Sequence, residues 1–301
     1  MKNYSINCIL CGYDKGKLIP FGYYYKEKYL WAVKCNKCGL ITIQPQPTDD
    51  DIKEMYSEDY FTVADKNKFH GNTDYISSTE HADYTDKIKF FKKYVKSGNF
   101  LEIGCATGDM LARLRENGFN VTGIEISEFA AKTGNEKYNL NIINKPFTNE
   151  LIGGILPYEH FDIVYMGDVL EHFRNPIEAL RNINKILKKG GYVIVEVPST
   201  LSLISSRLAF GIYNIIGKKI IMKLPPYHLT EFSPGSLKKS LNASGFGNIS
   251  IKQECKHPST IPLRHSWFEN NVKLTLQYPN MYITRLFGVL GDRLTGIAQK
   301  Q

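Results

Sequence analysis

Four cysteines stand in two pairs, Cys8-Ile9-Leu10-Cys11 and Cys35-Asn36-Lys37-Cys38, with 23 residues between the pairs. A CxxC turn aims two thiolates at one point, and two such turns complete a tetrahedron around Zn²⁺. Gly12 and Gly39 follow the pairs and let the backbone turn its amides toward the sulfurs. All four donors are sulfur, so no position stays open for a substrate and the metal is expected to be structural. Two disulfides are the alternative, disfavoured in a chain that starts without an apolar leader. Cys105 and Cys255 have no partner by spacing and read as small buried residues.

A second constellation lies in the middle of the chain. The apolar run Asn99 to Ile103 ends in a loop, Gly104-Cys105-Ala106-Thr107-Gly108. The spacing is neither GxGxxG nor GxxxxGK[ST], which excludes a P-loop ATPase and weighs against a dinucleotide fingerprint. Glu102 lies just before the loop and Glu125 ends the next strand, where a carboxylate can accept both ribose hydroxyls of an adenosine. Asp168 follows the fourth strand. Two of the seven histidines are well placed for chemistry. His172 follows the fourth strand, and His228 lies in Pro225-Pro226-Tyr227-His228 after the fifth. Imidazole is the usual proton acceptor near neutral pH. A helix-terminal contact or loop packing is the bland alternative for each, and Glu171 with His172 could instead hold a metal ion. His70, His81, His160, His257 and His265 have no such context and read as surface or structural.

These groups need a frame. Between the cysteine pairs, Phe21 to Val33 is aromatic-rich and reads as a β-hairpin over a core too small to stand without a metal. Helices are expected over 49–60 and 84–95, with a polar loop at 65–80 that could close over a site. Strands are then expected at 99–103, 120–125, 141–143, 161–166, 192–197 and 247–254, with a closing strand at 293–300. Helices fall between them at 109–117, after the Ser127 cap, and after the Asn175-Pro176 start as far as about 188. Ser233-Pro234 opens another, and 263–290 reads as added helices. Alternating strands and helices mean a Rossmann-like, doubly wound α/β fold with a mostly parallel sheet, which binds ligands at the carboxyl ends of its strands. The expected division is a zinc ribbon at 1–47, a helical linker or cap at 48–98, and a catalytic domain at 99–301 with a lid insertion at about 199–232. The segment 201–224 is apolar with a basic close at Lys218, Lys219 and Lys223. It reads either as a helix packed on the core or as a lid that touches a membrane.

Composition narrows the class. The 301 residues are 43% hydrophobic, which excludes wholesale disorder, and no apolar run is long enough to cross a membrane. The formal charge of +8 is uneven: +2 over residues 1–98, −3 over 99–200 and +9 over 201–301. The absence of an apolar N-terminal run leads us to expect a cytoplasmic protein, with peripheral membrane contact through the basic C-terminal third as an option.

The motifs in order resemble the class I S-adenosylmethionine-dependent methyltransferases over about residues 85–300. Leu101 to Gly108 is similar to their first motif, Glu125 to their ribose-binding acid, Gly167-Asp168-Val169-Leu170-Glu171-His172 to the motif after strand four, and Leu187 to Gly191 to the turn before strand five. Ala106 departs from the usual glycine, and the loop is expected to tolerate its methyl group if φ stays negative. The cysteine ribbon with Pro45-Gln46-Pro47 and a Tyr-rich helix resembles the zinc-binding head of a bacterial subgroup linked to sugar C-methylation, polysaccharide and natural-product synthesis. The resemblance implies S-adenosyl-L-methionine held by Glu102, Gly104, Ala106, Gly108, Glu125 and Asp168. It implies Zn²⁺ on Cys8, Cys11, Cys35 and Cys38, and His172 or His228 as catalytic base beside the methyl group. The expected reaction is O-methylation of a sugar, a lipid-linked saccharide or another small metabolite. A zinc-ribbon RNA methyltransferase is an alternative, which the negative central segment disfavours. Sugar C-methylation is disfavoured because those enzymes carry a further C-terminal domain. A non-catalytic binding protein of the same fold is the third alternative. The oligomeric state is not legible.

Overall fold

The computed structural model describes residues 3–62, 82–258 and 267–301. The expected 65–80 loop, His70, His81 and His265 lie outside them. The chain opens with β1 (Asn3–Ser5), β2 (Lys15–Tyr25), β3 (Lys28–Cys35) and β4 (Ile41–Gln44), then α1 (Asp49–Met55), α2 (Glu58–Thr62) and α3 (Thr85–Phe91). Alternation follows: β5 (Gly98–Ile103), α4 (Asp109–Glu116), β6 (Phe119–Glu125), α5 (Glu128–Tyr138), β7 (Ile142–Asn144), β8 (Phe161–Gly167), α6 (Pro176–Ile186) and β9 (Leu187–Pro198). The remainder is α7 (Ile204–Ile216), β10 (Ile220–Met222), β11 (Thr230–Glu231), α8 (Pro234–Ala243), β12 (Phe246–Glu254), α9 (Trp267–Phe287) and β13 (Arg293–Lys300).

Local chemistry explains the helix starts. Ser127 accepts the amide of Ala130, Asn175 accepts that of Glu178 ahead of Pro176, and Thr48 and Ser233 form capping boxes with Asp51 and Ser236. The expected 49–60 helix is broken at Tyr56–Ser57. The helix opened by Asn175 stops at Ile186, because Leu187 is already extended. Among the described residues of 263–290 there is one helix, not several.

The central sheet has seven strands in the order β12-β13-β9-β8-β5-β6-β7. β9, β8, β5, β6 and β7 are mutually parallel, and β13 runs antiparallel between β9 and β12. The order reverses between β5 and β8, so their carboxyl ends diverge and leave a crevice there. Two apolar cores cover the faces. Phe91, Phe100, Leu111 and Ile163 pack on one side, and Leu101, Val164, Leu180 and Ile183 on the other.

The N-terminal ribbon is larger than the sequence suggested. It is a six-stranded sheet, because β10 adds in parallel to β2 and β11 adds antiparallel to β4. Both added strands come from the segment read as a lid. The reason is burial: Tyr23, Leu30, Ala32, Ile41 and Ile43 form a core closed by Leu201, Met222 and Leu224. Cys8, Cys35, Cys38 and Leu40 share the large core of the central sheet with Leu237 and Leu241.

One close approach fixes the glycine loop against its neighbour. A methyl group on Gly134 in α5 would lie 2.4 Å from the carbonyl oxygen of Thr107 and 2.6 Å from Ile142 Cδ1. We expect Gly134→Ala to force helix and loop apart, lowering stability by about 1–3 kcal/mol. Urea denaturation of the two proteins checks this, and equal midpoints would contradict it.

Candidate active site

The loop after β5 runs into α4 through three left-handed residues, Gly104 at φ 73°, Ala106 at φ 47° and Gly108 at φ 72°. Ala106 therefore does not keep the negative φ expected of it. A left-handed alanine costs about 1–2 kcal/mol relative to its usual conformations. Its amide donates to Glu125 Oε2 at 2.9 Å, and it packs with Phe61 and Ala130. The second oxygen of Glu125 accepts the amide of Ser127 at 2.9 Å. Glu125 thus ties the loop to the start of α5 with both oxygens. Burial pushes its pKa up, and those two amides oppose the rise.

A cleft enclosing about 550 Å³, open mouth included, lies over the ends of β5 and β8. Its lining includes Glu102, Gly104, Ala106 and Gly167, with Tyr84 and Lys87 arriving from the α3 region. Glu102 is buried, and its Oε2 accepts no hydrogen bond among the described residues. Burial pushes its pKa up to about 8, despite the nearby Lys87 cation. An orphaned buried carboxylate oxygen at the floor of a cleft is a place for a ligand's donor group. Lys87 pairs with Glu196 at 2.5 Å, and Tyr165 donates to the same carboxylate at 2.9 Å. Sequence reasoning missed Tyr84, Lys87, Tyr165 and Glu196, because an amphipathic helix and a buried strand look alike with or without a ligand beside them.

Of the residues expected around a nucleoside, Glu102, Gly104 and Ala106 line the cleft, and Glu125 and Gly108 brace its loop. Asp168 is not among the lining residues; its side chain is half exposed and paired with Arg293 at 2.8 Å. Cys105 is buried as expected, whereas Cys255 is only partly so and accepts from Gln277 at 3.1 Å.

The structure brings His172 and His228 together, their ring centroids 5.1 Å apart. The backbone does this: the amide of Leu229 donates to the carbonyl of Glu171 at 2.9 Å, so the residue before Leu229 sits against the turn that follows β8. Glu171 is 1% exposed, with Oε1 at 3.6 Å from His172 Nε2 and 4.0 Å from His228 Nε2. His172 Nδ1 lies 2.7 Å from the carbonyl oxygen of Tyr227 and 2.8 Å from Tyr56 Oη. A carbonyl only accepts, so the contact assigns the proton to Nδ1 and leaves Nε2 with the lone pair of the neutral ring. Burial, then the neighbouring His172, push the His228 pKa down to about 3, so that ring is neutral at physiological pH. Tyr56 and Tyr60 roof this corner, with Tyr60 5.3 Å from the Tyr227 ring. Phe61, next in the chain, packs on Ala106, so the stretch from Tyr56 to Phe61 spans from His172 to the glycine loop.

The four paired cysteines also converge, with no disulfide among them. Cys8 and Cys38 sulfurs are 3.4 Å apart, those of Cys11 and Cys35 are 3.6 Å apart, and one sulfur from each fits within 4.8 Å of all the others. Thiolates around a tetrahedral zinc lie about 3.8 Å apart, so the cluster is compatible with that ion. Burial opposes ionisation of Cys35, but the amides of Cys38 and Lys37 with the Cys38 and Cys8 thiols outweigh it and bring its pKa down to about 7, whereas burial pushes Cys8 and Cys38 up. Amide donors of this kind are what a bound thiolate needs.

A seven-stranded sheet with a glycine loop after its first strand and an acid ending the next defines a nucleoside-binding α/β enzyme fold. Residues 74–251 match a family described as "Methyltransferase domain", and the chain belongs to that family. A solved S-adenosylmethionine-dependent methyltransferase from Archaeoglobus fulgidus superposes with a TM-score of 0.52 at 23% identity, over 78% of this chain and 97% of that one. A ubiquinone biosynthesis O-methyltransferase of Pseudomonas fluorescens is 28% identical over 50% of this chain and 64% of its own length. A tRNA U34 carboxymethyltransferase of Hydrogenovibrio crunogenus is 28% identical over 52% of this chain and 50% of its own length. The chain thus spans less than two-thirds of the length of the first curated relative.

Two outcomes follow from the cleft. Glu125→Ala removes the acceptor that holds Ala106, and we expect S-adenosylmethionine affinity to fall at least about 10-fold with zinc content unchanged. Calorimetry with elemental analysis checks this, and equal affinity would refute the assignment. Glu102 titrates at about 8 when folded, against an ordinary 4.5. Between those values the folded protein holds a proton that the unfolded chain releases. Its contribution is therefore fully present below pH 4.5 and lost as the pH rises through about 8. Glu102→Gln should flatten the loss of stability of the cofactor-free protein across that window in urea titrations; an unchanged slope would contradict it.

Proposed function

We propose that the protein transfers a methyl group from S-adenosyl-L-methionine to a hydroxyl oxygen of a sugar, a lipid-linked saccharide or a related small metabolite, working at a membrane surface. The observation that carries the membrane part is a pair of helices with exposed apolar side chains. α9 buries Met281 together with Gln277, Asn280 and Thr284 and exposes Tyr278, Tyr282, Leu286 and Phe287. α7 buries no side chain, leaving Leu208, Ile212, Ile215 and Ile216 more than half exposed. The two helices meet where the amide of Ile204 donates to Asn280 at 3.1 Å. A helix serving only its own core turns the apolar side inward. Residues 201–230 add Arg207, Lys218, Lys219 and Lys223 with no acidic residue. Exposed apolar stripes beside unopposed cations suit an anionic lipid surface. No helix among the described residues is long and apolar enough to cross a membrane.

S-adenosylmethionine brings a methyl group already activated on its sulfonium. The chain's task is to align the acceptor, which can be worth roughly 7–11 kcal/mol, and to take its proton, worth about 10²–10⁴-fold. The Nε2 lone pair of His172, oriented by the Tyr227 carbonyl, is the first base at hand, and His228, with its pKa pushed down to about 3, is the weaker one. The ribbon cysteines hold zinc in this reading, and that zinc braces β4 and, through it, the strand that delivers His228.

Incubation with radiolabelled methyl donor and fractionated extract of the source cell tests the proposal. Label in the organic phase or the sugar pool is expected, falling about 10²–10⁴-fold in His172→Ala or His228→Ala. Label in nuclease-sensitive material would replace the acceptor with RNA, and no label with no cofactor binding would remove catalysis. Elemental analysis is expected to find zinc on the ribbon, lost in Cys8→Ser.

A further inference from the structure

We infer that Glu171, His172 and His228 form a binding site for a divalent transition-metal cation, separate from the cysteine cluster. One ligand atom from each residue fits within 4.8 Å of the other two. The carboxylate of Glu171 is 1% exposed, and neither oxygen has a hydrogen-bond partner among the described residues. A buried carboxylate in that condition needs a proton or a cation. Its surroundings favour a cation. The Tyr227 carbonyl takes the Nδ1 proton of His172, which leaves the Nε2 lone pair on the side of Glu171. An imidazole whose second nitrogen is tied to a carbonyl is the usual state of a metal-bound histidine.

The distances agree. Separations of 3.6 and 4.0 Å from Glu171 Oε1 to the two Nε2 atoms are long for hydrogen bonds. Ligands about 2.1 Å from a shared ion lie about 3.4 Å apart at the tetrahedral angle, and further apart at wider angles. A small side-chain rotation therefore closes the three onto one ion. The charge pattern agrees as well. Burial first, and then Asp168, push the pKa of Glu171 up against a backbone hydrogen bond and Arg293, with Glu231 adding to the rise, so carboxylates outnumber the arginine at this corner. The imidazoles are each about 15% exposed while the carboxylate is sealed, which leaves the remaining coordination positions toward the opening.

Two nitrogens and one oxygen suit Mn²⁺, Fe²⁺, Co²⁺ or Zn²⁺, whereas four thiolates select zinc. The site rests on its ligands alone and does not depend on the methyl-transfer reading. If both hold, the ion lowers the pKa of a bound acceptor hydroxyl, and the imidazoles act as ligands rather than as bases.

The test is Mn²⁺ titration of the zinc-loaded protein followed by electron paramagnetic resonance, with zinc measured on the same samples. One Mn²⁺ per chain is expected to bind saturably. Affinity should drop at least about 10-fold in Glu171→Gln and in His228→Asn, with zinc content and S-adenosylmethionine affinity unchanged. The two variants touch different elements, so misfolding of one leaves the other informative. Absence of saturable binding up to millimolar Mn²⁺, or binding unaltered in a folded variant, would overturn the site. Loss of S-adenosylmethionine binding in the wild-type protein would instead fail the methyl-transfer reading and leave the metal result standing.

Discussion

The peptide of Leu229 is hydrogen-bonded on both sides, and the rest of the molecule is arranged around that fact. Its carbonyl accepts the amide of Ile43 in the ribbon sheet, and its amide donates to the carbonyl of Glu171 after β8. One residue thus joins the ribbon, the segment that follows α7, and the turn that carries Glu171 and His172. Thr230 continues the pairing with Thr42. His228 is positioned because its neighbour Leu229, bonded on both sides, leads directly into β11, which is a firmer mount than a free loop. The cysteine cluster belongs to the same ribbon sheet, whose β4 is the template for β11.

The second constraint is electrostatic. Glu102, Glu125 and Glu171 are all buried at the carboxyl ends of parallel strands, and burial raises the pKa of each. A core built for stability alone would avoid three such groups. They differ in how far they are satisfied. Glu125 receives two amides, Glu102 has one orphaned oxygen, and Glu171 has two. The sequence from satisfied to unsatisfied runs from the residue that shapes the loop to the residues left for bound groups.

Much of this was legible in the residues. Strand–helix alternation, the caps at Ser127, Asn175 and Ser233, and the glycine loop between Ile103 and Asp109 are local signals, and the structure realises them. The spacing of the cysteines announced their convergence for the same reason. What was not legible depends on contacts between distant segments. Nothing in residues 220–231 shows that they complete the ribbon sheet, because a three-residue strand has no period to read. The φ of Ala106 was misjudged, since a methyl group argues locally for negative φ while the Glu125 carboxylate, 19 residues away, holds the amide in the other region. Lys87, Tyr165 and Glu196 come from three separate elements, and only folding brings them to one carboxylate. The outward-facing apolar side chains of α9 were likewise hidden, because a helical period shows that two faces differ but not which of them faces the protein.

The claim on which everything else stands is that the cleft over β5 and β8 is a nucleoside site for the methyl donor. Calorimetric titration of the purified protein with S-adenosylhomocysteine, the demethylated product, addresses it without any knowledge of the acceptor. The account predicts one saturable site per chain, competed by S-adenosylmethionine and left in place when NAD⁺ or ATP is added. Absence of binding heat, or competition by NAD⁺ or ATP at matching concentration, would contradict it.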